Sequence, residues 1–269
     1  MAISLKQAQH QELSINSLFQ EYLEENYALS EIKLNNNYSL IENIEHFKKI
    51  YGKEFAKITK EALIFAYDTK YGNWDEVNDL RKIHSNSWAD PIKHYFSKVN
   101  FDTKIIDLGC NDGRELSDIL GSNINKPNIT VLDISKQAIA RLRFAFHNQR
   151  NVSVKNDSIV ESKIRKESYD FCIALRTVHS SGIDMEQCVK KCIDITKKQG
   201  YIILSVANGY VDIESGNPIK GMYIDSTDTV DTKMPYNIAE QIKNMAIKYG
   251  IEVVDIIDGE TEIFIIVKK

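Results

Sequence analysis

KIIDLGCNDGREL, residues 104–116, runs two isoleucines into an acid and a leucine, then brackets Cys110, Asn111 and Asp112 with two glycines. A short apolar run reads as a buried strand, and GREL opens a helical pattern, so the stretch predicts a strand–turn–helix corner. Glycine at both ends of the turn allows positive φ and a close approach to the backbone. Asparagine is among the residues that best tolerate left-handed angles, so Asn111 suits the middle of such a turn. A carboxylate at the mouth of that turn, Asp107, is a polar group at the end of a buried element and calls for a ligand.

Outward from this corner the chain keeps one rhythm. The strand-like runs KIIDLG, NITVLDI, VSVKND, YDFCIAL, GYIILSVA, IEVVDIID and TEIFIIVKK alternate with helical stretches such as SKQAIARLRFAFHN and DMEQCVKKCIDITKK. Strand and helix in alternation predict an α/β fold, a seven-stranded, mostly parallel, doubly wound sheet with right-handed crossovers. Only DGE separates the last two runs, a hairpin signal that makes the last strand antiparallel to the rest. Residues 1–100 differ: their apolar residues recur at three and four, with Pro91 as the one proline. They predict an all-helical N-terminal extension or lid, followed by a sheet domain over residues 101–269.

Composition narrows the function. With 269 residues, 43% of them hydrophobic, the chain can bury a substantial core. Lys+Arg at 34 against Asp+Glu at 38 give a net charge of -4, and no basic run exceeds two residues. Phosphate-backbone binding needs a concentrated positive footprint, so nucleic acid is not the expected partner. The four cysteines, at 110, 172, 188 and 192, form no CxxC pair and no metal-ligand spacing, which predicts reduced thiols in the cytoplasm. No apolar leader or membrane-length run occurs, so no membrane association is expected.

In an open parallel sheet the ligand lies beyond the carboxyl ends of the strands. Those ends carry Asp107, Gly109, Asn111 and Gly113 after the first strand, and Asp133 with Ile134 after the second. Asp157 with Ser158 closes the third, and Leu175, Arg176, Thr177 and His179 follow the fourth. Over roughly residues 85–269 this spacing resembles the class I S-adenosylmethionine-dependent methyltransferases of small-molecule type. The resemblance implies S-adenosyl-L-methionine as cofactor. By it Asp107, Gly109 and Gly113 face the amino acid part, Asp133 takes both ribose hydroxyls and Asp157 meets the adenine amino group. Asn111, Ile134, Ser158 and Leu175 complete the implied cofactor contacts. Asn111 stands where many members carry a third glycine. A dinucleotide-binding unit would need G-x-G-x-x-G, which GCNDGR lacks.

Methyl transfer needs alignment first and a base only for a weakly acidic nucleophile. His179, at the expected mouth, is the candidate base, since imidazole titrates near neutrality. Arg176 is a second candidate catalytic residue, or the partner of an anionic substrate. The long segment 208–236, with Asn208, Tyr210 and Tyr223, and the aromatic stretch with Tyr71, Trp74 and Trp88 are expected to line a small, polar substrate. A protein or tRNA methyltransferase and a non-catalytic cofactor-binding module are the alternatives, and neither the acceptor nor the oligomeric state follows from the sequence.

Overall fold

Residues 14–27, 32–71, 81–82, 84–180, 182–212, 214–221, 223–224, 230–231 and 233–269 are described by the computed structural model. Among the described residues three helices come first: α1 (Ile15–Tyr27), α2 (Leu40–Tyr51) and α3 (Lys53–Tyr71). Ser39 starts α2 with a capping box, its hydroxyl accepting from the Glu42 N–H while the Glu42 carboxylate accepts from the Ser39 N–H. Sequence periodicity alone runs residues 39–70 together as one helical stretch. Gly52, at φ +73°, ends it by letting its N–H reach the Lys48 carbonyl. Leu18, Phe19, Leu23, Ile44, Phe47 and Phe55 form a core belonging to these helices.

Residues 72–80 lie outside the described residues, and the stretch that follows departs from its helical expectation. Arg81–Lys82 form a short strand, β1, paired with residues 211–212. The long-range partner wins over local periodicity, which is weak in so short a segment. A single turn, α4 (Asp90–Lys93), with Pro91 in its first turn, leads into the sheet domain.

The domain then runs β2 (Lys104–Leu108), α5 (Arg114–Leu120), β3 (Asn128–Asp133), α6 (Lys136–Ala145), β4 (Val152–Asn156), β5 (Tyr169–Ala174), α7 (Met185–Ile195) and β6 (Thr196–Ala207). Four short strands follow: β7 (Gly209–Asp212), β8 (Pro218–Lys220), β9 (Tyr223–Ile224) and β10 (Val230–Asp231). Helix α8 (Met234–Lys248) and the hairpin β11 (Glu252–Asp258) and β12 (Glu262–Lys268) close the chain. The seven-stranded sheet has the order β11-β12-β6-β5-β2-β3-β4, with β12 antiparallel to both neighbours.

Alternation along the strands fills two layers. Ile106, Leu108, Leu132, Cys172 and Ala174 pack under α7 and α8, while Ile105, Ile129, Val131, Ile173 and Phe264 pack under α4, α5 and α6. Burying each such side chain is worth about 1.5–3 kcal/mol, and both faces must be covered because the parallel strands are apolar on both. The β4–β5 connection carries no helix. At its foot, on the N-terminal edge of the sheet, lies a hollow of about 420 Å³ lined by Lys104, Asn128, Thr130, Ser153 and Tyr169. Among the described residues no helix is long and apolar enough to cross a membrane.

The segment 208–236 is not a plain loop. Its β7 and β8 join β1 in a three-stranded antiparallel sheet, and β9 and β10 form a two-stranded one. The segment that precedes the main sheet and the one inserted after β6 therefore meet beside the carboxyl ends of the strands.

Candidate active site

Strand β2 ends in a buried acid. Asp107 is 3% exposed, and no described residue donates a hydrogen bond to its carboxylate. Burial, and then the negative charges of Glu115 and Asp133, push its pKa well above the ordinary carboxylate range. The turn that follows is left-handed at Gly109 (φ +71°), Asn111 (φ +45°) and Gly113 (φ +75°). A Cβ on Gly109 would come within 2.5 Å of Thr177, and one on Gly113 within 2.8 Å of Leu142 and Phe146. Both glycines thus serve protein packing, the first against the turn after β5 and the second against α6.

Asp133, at the end of β3, is anchored from two sides. One carboxylate oxygen accepts the Asn111 N–H at 2.9 Å and the other the Ser135 N–H at 2.8 Å. Each oxygen keeps a further lone pair. Burial raises its pKa, and the nearby Asp68 adds to the rise, while the two N–H donors and Arg141 oppose it. Ile134 is half-buried, and Asn156 ties its carbonyl and that of Asp133 to the end of β4 through one side-chain amide. Asp157 accepts from the Ser158 N–H at 2.8 Å and faces Lys60 of α3 at 3.6 Å. Leu175 packs partly buried on the cluster beneath α4 to α6, its carbonyl accepting the Thr177 hydroxyl. The residues expected around the cofactor thus come together along one rim, formed by the ends of β2, β3, β4 and β5.

The other side of the rim is built around a buried ion pair that periodicity does not reveal. Arg176, left-handed at φ +50°, directs its Nε to the Glu262 carboxylate, and its terminal nitrogen donates to the carbonyls of Gly209 and Thr261 at 3.0 Å. Glu262 is 1% exposed and also accepts the Ser205 hydroxyl at 2.7 Å. The guanidinium lies 5.6 Å from the Tyr210 ring centre. Held in this way, Arg176 ties β5, β7 and β12 together. His84 stands beside them, stacked on Trp88 at 4.2 Å, with Nδ1 3.4 Å from Glu262 and Nε2 3.5 Å from Glu115. Burial would raise Glu115, but His84 and then Arg176 outweigh it and hold its pKa below the ordinary value.

His179 follows this turn. Burial of the ring, and then the Arg176 charge, lower its pKa to about 3, so it is neutral at physiological pH and a weaker base than its residue type suggests. Two substrate expectations also change. Trp88 is 2% exposed, donates to Asp118 at 3.2 Å and packs towards Phe264, a core position that follows from its large apolar area. Asn208 is fully buried and joins the end of β6 to the last hairpin, donating to Asp258 at 3.0 Å and Tyr236 at 3.3 Å. Tyr210 stays partly buried at the rim. Trp74 and the side chains of Tyr71 and Tyr223 lie outside the described residues.

Residues 106–202, from within β2 to within β6, match the family described as a methyltransferase domain. These residues are similar to that domain, and the sheet order around them is the class I methyltransferase fold. Solved structures share the fold of this chain. An S-adenosylmethionine-dependent methyltransferase from Aquifex aeolicus aligns with a TM-score of 0.51 at 10% identity, covering 66% of this chain and 88% of its own. The CurJ carbon methyltransferase gives 0.53 at 14% identity, over 88% of this chain and 71% of its own. A proposed methyltransferase of Methanococcus maripaludis gives 0.51 at 15%, over 88% and 97%. No curated protein sequence matches the chain.

The rim fits S-adenosylmethionine, the cofactor in the description of the Aquifex aeolicus structure. A buried carboxylate that accepts no described hydrogen bond suits an ammonium group, and a carboxylate fixed by two backbone donors suits a vicinal diol. Asp68, Glu115 and Glu262 are rim residues that sequence reasoning missed. Each is an isolated acid on a helix or at a strand start, and no local motif distinguishes it.

Proposed function

We propose that this methyltransferase moves the methyl group of S-adenosylmethionine to a small polar metabolite bound beneath a two-part roof. One part is the N-terminal helical unit, residues 1–100, acting as a lid. The other is the insert 208–236 of the domain 101–269. In this reading Asp107 takes the ammonium of the cofactor, with Gly109, Asn111 and Gly113 shaping the turn beneath it. Asp133 takes the ribose hydroxyls beside Ile134, and Asp157 with Ser158 meets the adenine, whose ring lies against Leu175. The observation that carries the cofactor assignment is the Asp133 carboxylate, held by two backbone donors at a strand end.

A small acceptor is favoured by the antiparallel sheet β1-β7-β8 and the loop around Gly182, which lie beside the strand ends. Leu63 of α3 and Leu40 of α2 reach that loop at Gly182. His179 and Tyr210 line the acceptor side in this reading. A neutral His179 accepts a hydrogen bond and orients the acceptor, so the acceptor's own acidity supplies the proton lost on methylation. Tyr71, Trp74 and Tyr223 remain proposed substrate contacts. The free, buried state of all four cysteines supports placing the enzyme in the cytoplasm.

Calorimetric titration with S-adenosylmethionine and its demethylated product, with NAD as control, tests the cofactor site. Formation of the demethylated product in the presence of amines, phenols or carboxylic acids then identifies the acceptor class. Turnover only with a macromolecule would overturn the small-metabolite reading, and binding without turnover on any acceptor would favour a non-catalytic module.

A further inference from the structure

Helix α3 lies outside the matched domain, yet it reaches the rim at points eight residues apart. Near its middle, Lys60 faces Asp157 at 3.6 Å and Glu161 at 3.4 Å. This half-exposed pair adds little stability of its own but fixes where the helix runs. About 12 Å further along the helix, Asp68 accepts the Ser135 hydroxyl and the Gln137 N–H, the latter at 3.3 Å. Ser135 is 5% exposed and has three engagements. Its hydroxyl accepts the Ala138 N–H at 3.0 Å as the cap of α6, it donates to Asp68, and its own N–H donates to Asp133.

A hydroxyl has one proton. With the Ala138 N–H occupying an acceptor site, the Asp68 carboxylate decides where that proton points and fixes the Ser135 rotamer. The first turn of α6 is then held from outside, and with it the N–H that orients the Asp133 carboxylate. Lys60 and Asp68 set α3 across the ends of β4 and β3, the two strands whose acids are assigned to adenine and ribose.

We infer that Asp68 is a positioning residue of the cofactor site, acting through Ser135 to hold Asp133 in the rotamer that receives the ribose, so that the docking of α3 and cofactor binding are coupled. The inference rests on the reading of Asp133 as the ribose acid. The groups facing Asp133 are Asp68 from α3, Arg141 from α6, and Asp107 and Cys110 from the end of β2 and its turn. Asp68 disfavours ionisation of Asp133 and Arg141 favours it.

The test compares the wild type with Asp68→Ala, Asp68→Asn and Asp133→Ala by calorimetric titration of S-adenosylhomocysteine between pH 4.5 and 8, with thermal melting as the fold control. Asp68→Ala is expected to bind about tenfold more weakly, the effect of losing one charge-assisted contact. Asp68→Asn keeps an acceptor for Ser135 and Gln137 and recovers most of the affinity at pH 7. Removal of its charge moves the acid limb of binding to lower pH, a shift that a purely structural role would not produce. Wild-type affinity and an unmoved acid limb in both Asp68 variants, with Asp133→Ala unable to bind, would overturn the inference while leaving the ribose reading intact. Wild-type binding by Asp133→Ala would overturn both.

Discussion

Asp133 is held by groups 22 and two residues away in sequence, Asn111 and Ser135. Arg176, across the same rim, is held by Glu262 and Thr261, 86 and 85 residues away, and by Gly209, 33 residues away. The first side is a set of strand ends, each closed by its own turn, and it presents acids with lone pairs to spare. The second is a knot of distant segments whose polar groups largely satisfy one another. Recognition can vary on the second side more readily than on the first. Under the proposed function, the strand-end side can remain the same while the knot is remodelled for another acceptor.

The contrast breaks first at Arg176. Arg176→Met leaves Glu262 buried with a lost cation, and melting or denaturant titration should show a loss of about 3–5 kcal/mol, the usual cost of removing one partner of a buried pair. Asp133→Ala should leave the fold cooperative and weaken S-adenosylhomocysteine by roughly a hundredfold, since two hydrogen bonds to a charged acceptor disappear together. Equal effects of the two changes on stability would erase the distinction drawn here.

His179 sharpens it through pH. Its folded pKa, about 3, lies below the unfolded value of about 6.5, so the unfolded chain binds a proton that the folded one refuses. The stability this site supports is therefore full above about pH 6.5 and lost as the pH falls towards 3. His179→Asn should remove about 1.4 kcal/mol per pH unit from that slope in melts between pH 6 and 4, and leave stability at pH 8 nearly unchanged.

Asp107 gives the smallest effect, with the opposite sign. Its raised folded pKa makes the folded state the better proton binder, so its contribution falls as the pH rises from the unfolded value through the folded one. Asp107→Asn removes a poorly solvated charge. At pH 7 the ligand-free protein should melt about 2–4 °C higher, the shift that about 1 kcal/mol gives in a domain of this size, while its cofactor affinity falls.

The sheet and the acids at its strand ends were legible because their signals are local. An apolar run closed by an acid and a turn gives a strand end wherever it lies, and three of them, at Asp107, Asp133 and Asp157, mark the rim before any contact is known. Periodicity misread the two short elements it could not resolve, the break at Gly52 and the strand Arg81–Lys82. Trp88 illustrates the other limit, because an aromatic near a rim reads alike in sequence whether it faces a ligand or the core. Asn208 does the same for a polar residue at a strand end.

By itself the sequence determined the order of strands and helices, the antiparallel last strand, the left-handed glycine turn and the acids that follow each strand, all set by groups within about one strand–helix unit of one another. That Arg176 pairs with Glu262, that His84 wedges between Glu115 and Glu262, that His179 stays neutral, and that α3 brings Asp68 beside Ser135 emerged only from the folded chain. Those outcomes depend on which distant segments share a buried volume, because burial and nearby charge fix a side chain's partner and protonation, and no local pattern encodes either.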